Sequence, residues 1–221
     1  MIATTSSTTS SDSKEDKEII GDYKLFLDLL FQGIKGLGIN VDGLELDHLC
    51  YRVSLEEYYD VKKNEILSSG HEMLTEVNYN GRRISSFKLT QPILYEYQSN
   101  NGTSETKVIP LLELPSHKPS KPQLDGLEHF YFVTSQSFQD IKHQHDQAVK
   151  ASNGRFTWVE IDIANKFNPN IELEMELSKD EKIALNTPKE VIDNRRSISV
   201  KFHPKSLQDM IDEEKKKEVE K

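Results

Sequence analysis

The sequence predicts an α+β protein made of two similar βαβββ modules. Their strands form one curved mixed sheet around a cleft, with a helix before the first module and another after the second. Three observations lead there. An acid–histidine pair opens an alternating strand twice, in "LDHLCYRV" (46–53) and in "LEHFYFV" (127–133). Each copy is followed by a serine-marked helix start and then by extended segments. The Pro-rich, polar "SHKPSKPQLDG" separates the copies, as a linker between repeats would.

The chain has 221 residues, enough for one large domain or one domain of two halves. Residues 1–17 are Ser/Thr-rich and then charged, and are expected to be a disordered tail. The domain then spans 18–211, with module one at about 45–115 and module two at about 125–204. Residues 212–221 form a charged, fraying end. The first helix carries Tyr23, Phe26, Leu27, Leu30, Phe31 and Ile34 at helical spacing, and Gly36 and Gly38 supply the stop.

In module one, Ser54 and Glu57 read as a capping box, with Leu55, Tyr58, Tyr59 and Ile66 on one face of the helix. Asn80-Gly81 between extended runs is a hairpin signal. "ETKVIPLLELP" closes the module, and its Pro110 marks an edge or a bulge. In module two, Ser137 and Asp140 mark the cap. "FTWVEIDI", "IELEMEL" and "SISVKFHP" supply the strands, and an acidic helix follows.

Net charge is −9 and no basic stripe runs along any element, which argues against nucleic acid. The single cysteine, Cys50, allows no internal disulfide and suits a reducing compartment. No stretch approaches the roughly 18 apolar residues of a membrane span, and the N-terminus lacks a signal-peptide core. The cytoplasm is the expected location.

The repeat singles out two of the seven histidines. His48 and His129 hold equivalent places in their modules, so a pseudo-twofold brings them together on the polar side of their strands. Cys50 and Arg52 share the face of His48, and Tyr131 shares that of His129. Glu113, flanked by leucines, is the nearest candidate carboxylate. Two imidazoles and a carboxylate suit a divalent Zn, Mn, Fe, Co or Ni ion with positions open for water or substrate.

Regular alternation would turn Asp47 and Glu128 away from their histidines, as strand-entry residues. Arg52 is either a fork for a substrate anion or an ion-pair partner of Glu113. Cys50 reads as a buried, inert thiol. Arg83 and Lys88 lie on a strand able to line the cleft. The basic pair Arg82-Arg83 otherwise decides little.

The stretches "DHLCYRV", "NGRRISSFKL", "ELPSHKP", "GLEHFYFV" and "SISVKFHP", in that order, resemble the vicinal oxygen chelate superfamily of glyoxalases, extradiol dioxygenases and epimerases. Within it they resemble the bacterial YecM-type proteins. The resemblance runs from about Gly21 to about Ile211. It implies a metal site drawn from the first, fourth, fifth and eighth strands, which gives His48, Glu113 and His129.

The superfamily usually places a carboxylate on the eighth strand, and this chain departs from that. Ser199, Lys201 and His203 occupy the equivalent face. Three readings follow. His203 substitutes as fourth ligand, or three protein ligands suffice, or Lys201 replaces the metal's charge. The last would make a metal-free pocket for a small anion or peptide, lined by Arg52, Lys201 and Arg83. The resemblance thus implies a divalent-metal-binding protein acting on a small oxygen-bearing molecule, as an isomerase, lyase or oxygenase. The alternative is a binding module without catalysis. A third reading assigns the terminal helices to a protein partner. The sequence leaves open whether the chain is an enzyme.

Overall fold

The computed structural model describes residues 12–79, 81–118, 124–159 and 169–219. Eight strands form one sheet: β1 (Glu45–Arg52), β2 (Glu72–Tyr79), β3 (Arg82–Gln98), β4 (Ser104–Pro115), β5 (Gly126–Val133), β6 (Phe156–Val159), β7 (Ile171–Glu176) and β8 (Ser197–His203). Their order is β2-β3-β4-β1-β5-β8-β7-β6. The two first strands, β1 and β5, pair antiparallel at the centre. Each pairs in parallel with the last strand of its own module, β1 with β4 and β5 with β8. That symmetry is the predicted duplication, and it sets equivalent residues of the two modules side by side.

Helices α1 (Asp12–Ile20), α2 (Tyr23–Gly36), α3 (Glu56–Ser68), α4 (Phe138–Ala151), α5 (Lys179–Ala184) and α6 (Leu207–Val219) complete the described residues. None is long and apolar enough to cross a membrane. Strand alternation decides what each sheet face holds. Phe130 and Phe132 of β5 and Ile198, Val200 and Phe202 of β8 join Phe26, Leu30 and Phe31 of α2 in one apolar core. Each fully buried residue such as Phe130 or Phe132 contributes on the order of 1.5–3 kcal/mol relative to exposure. The opposite face carries the polar alternates and holds the cavity described below.

Local signals explain the ends of α2. The Asp22 carboxylate accepts from Leu25 N at 3.1 Å, an N-cap. Beyond the helix, Gly38 turns the chain with φ +73°. Gly33 is in close contact too. A Cβ there would lie 2.7 Å from Cζ of Phe156 and 3.0 Å from Sδ of Met175, so the missing side chain lets α2 approach the far edge of the sheet.

Several expectations change. Of the segment read as a tail, Asp12–Lys17 are helical in α1, and residues 1–11 lie outside the described residues. The acidic segment read as a helix forms α6, which runs to Val219. Ser54 does not cap α3. Its amide and hydroxyl donate to Asp125 at 2.7 and 3.0 Å, and the helix begins after Leu55 with no side-chain cap. Tyr59 and Ile66 are buried, but Leu55 and Tyr58 are 44% exposed.

Of the two readings of Pro110, edge or bulge, the second holds, since β4 lies between β3 and β1. It falls at the register break between Lys88 and Ile93 of β3, where a missing donor costs least. Tyr79 pairs with Arg82 across the expected hairpin, whose Asn80 lies outside the described residues, as does 160–163 of "FTWVEIDI". At module two, Ser137 caps α4 as expected, accepting from Asp140 N.

Candidate functional site

Two bulges make the site. In the β1–β5 ladder, Leu46 pairs with Phe132 and His48 with Tyr131, so Asp47 is the extra residue. Further along, Cys50 pairs with His129 and Tyr51 with Leu127, so Glu128 is extra on the other strand. A bulge re-aims the side chains beside it. Asp47 and Glu128 therefore do not turn away from their histidines, as uninterrupted alternation would require. Each grips its neighbour instead. His48 Nδ1 lies 2.7 Å from Asp47 Oδ2, and His129 Nδ1 lies 3.2 Å from Glu128 Oε2. The Nε2 atom of both rings is buried without a hydrogen-bond partner.

Register places the other groups. One row across the sheet runs Glu113, Cys50, His129, Ser199, and the next runs Leu111, His48, Tyr131, Lys201. Glu113, His48, His129 and Lys201 thus zigzag around Cys50 and Tyr131. The Tyr131 ring stacks on His48 at 4.4 Å between centroids and meets His129 edge-on at 5.2 Å. The Lys201 ammonium lies 5.3 Å from the same ring. A cavity of about 410 Å³ opens above. Its walls include His48, Arg52, Arg82, Glu113, His129, Tyr131 and Lys201, with Leu207, Met210 and Ile211 of α6 along one side.

The charges are organised in pairs. Glu128 accepts from Arg52 Nε and Nη2 at 2.9 and 2.6 Å. Glu172 faces Lys201 at 3.6 Å and accepts from Ser199 Oγ at 2.5 Å. Burial opposes charge on Lys201, but the carboxylates Glu172 and Glu128 raise its pKa, so it remains an ammonium. For Asp47, burial is outweighed by the hydrogen bonds of His203 and His48, which hold the carboxyl well below the usual range. His129 is pushed down to about 4 by burial and then by Lys201, against the pull of Glu128. It is neutral at pH 7, as a metal-ligating imidazole must be.

The family model described as "YecM protein" matches residues 15–214. The chain belongs to the YecM family. Among solved structures, a structural-genomics protein called EC4020 is 20% identical. It covers 90% of this chain and 93% of its own, with a TM-score of 0.62. A variant of Streptomyces coelicolor methylmalonyl-CoA epimerase, in complex with 2-nitronate-propionyl-CoA, is 12% identical, covering 72% of this chain and 95% of its own, with a TM-score of 0.37. A hypothetical protein from Bacillus halodurans C-125 is 12% identical over 75% of this chain and 96% of its own, with a TM-score of 0.41. Curated protein sequences give no match.

Within this YecM chain, His48, Glu113, His129, Arg52 and Lys201 all line the one cavity. Two predicted residues do not. His203 is completely buried, its Nε2 3.2 Å from the Asp47 carboxylate. Arg83 points to the other face of β3, paired with Glu56 and Asp60 of α3 and 4.2 Å from the Tyr59 ring. Alternation gives the cavity Arg82 instead. The partner of Arg52 is Glu128, not Glu113.

Among the described residues, the set whose ligand atoms all lie within 4.8 Å of one another is Cys50, Glu128 and His129. This set could hold a metal ion, but its chemistry argues for another role. Burial raises the Cys50 thiol well above its ordinary pKa, and Glu128 already answers Arg52. Sequence reasoning missed Asp47, Glu128, Arg82 and Glu172. The repeat of the acid beside the histidine was the available signal for the first two.

Proposed function

We propose that this YecM-family protein holds a divalent metal ion through His48 Nε2, His129 Nε2 and Glu113, and acts there on a small oxygen-bearing molecule. One observation carries the reading: both histidines are anchored at Nδ1 by an adjacent carboxylate while Nε2 is buried and unpartnered. Metal-binding imidazoles are held in this way, since the carboxylate selects the tautomer and raises ligand basicity. An unpartnered buried ring nitrogen is otherwise costly, on the order of 1–3 kcal/mol each.

The charge pairing supports the same reading. Arg52 is matched by Glu128 and Lys201 by Glu172. Glu113 has no ion-pair partner among the described residues, so its charge is left for a cation. The ion would be Zn, Mn, Fe, Co or Ni. When bound, it supplies Lewis-acid polarisation of substrate oxygens.

The remaining work falls to the chain itself. Asp47 holds His48 and is itself held by His203 and by Leu207 N, the latter at 2.9 Å. His203 thus acts as a support, and the fourth position is left to substrate or water. Lys201 offers donors and positive charge but no lone pair, which excludes it as a base near neutral pH. Burial raises the Tyr131 phenol, so it stays protonated and available as a donor. Through Leu207, Met210 and Ile211, α6 walls off water from one side.

Metal analysis of untagged protein tests this. About one equivalent of a divalent ion, lost in His48→Ala with the circular dichroism unchanged, is the expected result. Lys201, standing where the superfamily has a carboxylate, favours the second reading, a metal-free anion pocket. Protein that takes up none of the five metals and binds small anions would support that reading in place of the first.

A further inference from the structure

The cavity has chemically distinct ends. Along β1, His48 and Arg52 line it with Cys50 buried between them, so the Arg52 end lies about 7 Å beyond the row of Glu113, Cys50 and His129. Arg52 is 7% exposed. Its Nε and Nη2 are spent on Glu128, but Nη1 is buried with no hydrogen-bond partner. Arg82, at the start of β3, lines the same end and pairs with no carboxylate among the described residues. Burial, followed by the charge of Arg52, lowers its pKa. So one guanidinium is unanswered there, and a second keeps an unused donor. The opposite end is apolar, where Leu207 and Ile211 of α6 pack on Leu111.

We propose that this end binds a carboxylate of the substrate through Arg52 Nη1 and Arg82, so that the substrate is a small acid whose anionic group lies about three carbons from the oxygens placed at His48, Glu113 and His129. This rests on the site proposed above and names the substrate class for it. The two guanidiniums have one paired carboxylate between them, Glu128 on Arg52, so the end keeps an excess positive charge that an added carboxylate would balance. Guanidinium is also the planar fork that suits a carboxylate. Neither group can serve as a base. Their role is to bind and orient, which fixes which end of the substrate reaches the histidines.

The test is isothermal titration calorimetry on the full chain, cobalt-loaded and chelator-treated. 2-Oxoglutarate is compared with 2-oxopentanoate, which has the same carbon number but a methyl in place of the distal carboxylate. Wild-type protein should bind 2-oxoglutarate at least tenfold more tightly. In Arg82→Gln the ratio should fall below twofold while cobalt content is unchanged. Arg52→Lys, which keeps a positive charge beside Glu128 but loses the fork, should lower the ratio at least threefold.

Equal binding of the two acids by wild type, no binding of either, or a ratio that survives both substitutions overturns the inference. Cobalt bound without discrimination overturns the carboxylate end alone. Discrimination that depends on Arg82 in protein unable to bind metal leaves the carboxylate end standing and removes the metal reading.

Discussion

His129 should make the metal-free protein lose stability as pH falls, by an amount the structure sets. The ring is 3% exposed, and its pKa is lowered to about 4 by burial and by Lys201, with Glu128 opposing. In the unfolded chain it titrates near about 6.5. The native state therefore binds fewer protons between those values, and linkage makes stability fall with pH there. The contribution is complete above about pH 6.5 and is lost progressively as pH approaches 4. At pH 5 the unfolded form is almost fully protonated and the native form about one-tenth, which costs about 2 kcal/mol relative to pH 7.5.

Urea denaturation of chelator-treated protein at both pH values measures this. Burial also lowers the pKa of His203, so the decisive quantity is the difference between wild type and His129→Gln. The variant should lose about 2 kcal/mol less over that interval. For a chain of this size that corresponds to a difference of about 4–8 °C in Tm. Identical losses in the two proteins, or stability that rises toward pH 5, would refute the assignment of His129 as a buried neutral imidazole.

Other perturbations have expected signs. Asp47→Asn replaces a carboxylate held by His48, His203 and Leu207 N with an amide that can donate to His48 Nδ1 and move its proton to Nε2. Metal affinity should drop 10–100-fold and stability by about 2–4 kcal/mol, read by metal competition titration and by urea melts. Gly33→Ala forces a methyl against Phe156 and Met175. It should destabilise the fold by about 1 kcal/mol after the gain in helix propensity. Gly36→Ala has nothing within 4 Å of the new methyl and should stabilise by up to about 1 kcal/mol, so opposite Tm shifts are the check.

The duplication was legible because a repeated acid–histidine strand start and a Pro-rich break need no tertiary information. So was the cavity-facing set on β1, β4 and β8, since period-two alternation places His48, Glu113 and Lys201 directly. The grip of Asp47 and Glu128 was not legible. Alternation predicts the wrong side for a bulged residue, and a bulge arises from pairing between strands that are distant in sequence. The choice of Arg82 over Arg83 depended on the phase of β3, which a hairpin signal alone leaves free by one residue. His203 lay on the expected face, but only the fold shows that Asp47, itself held by the start of α6, already engages it. Ser54 failed as a cap because Asp125, at the far end of the linker, competes for it.

Cobalt(II) titration followed by electronic absorption tests the central claim most directly, because it separates the two candidate ligand sets. The account predicts one equivalent bound, with visible d–d bands abolished by His48→Ala and by His129→Ala. It also predicts no intense near-ultraviolet thiolate-to-cobalt band and an unchanged spectrum in Cys50→Ser. Such a band, lost in Cys50→Ser and retained in His48→Ala, would instead move the ion to Cys50, Glu128 and His129 and contradict the assignment of the paired histidines.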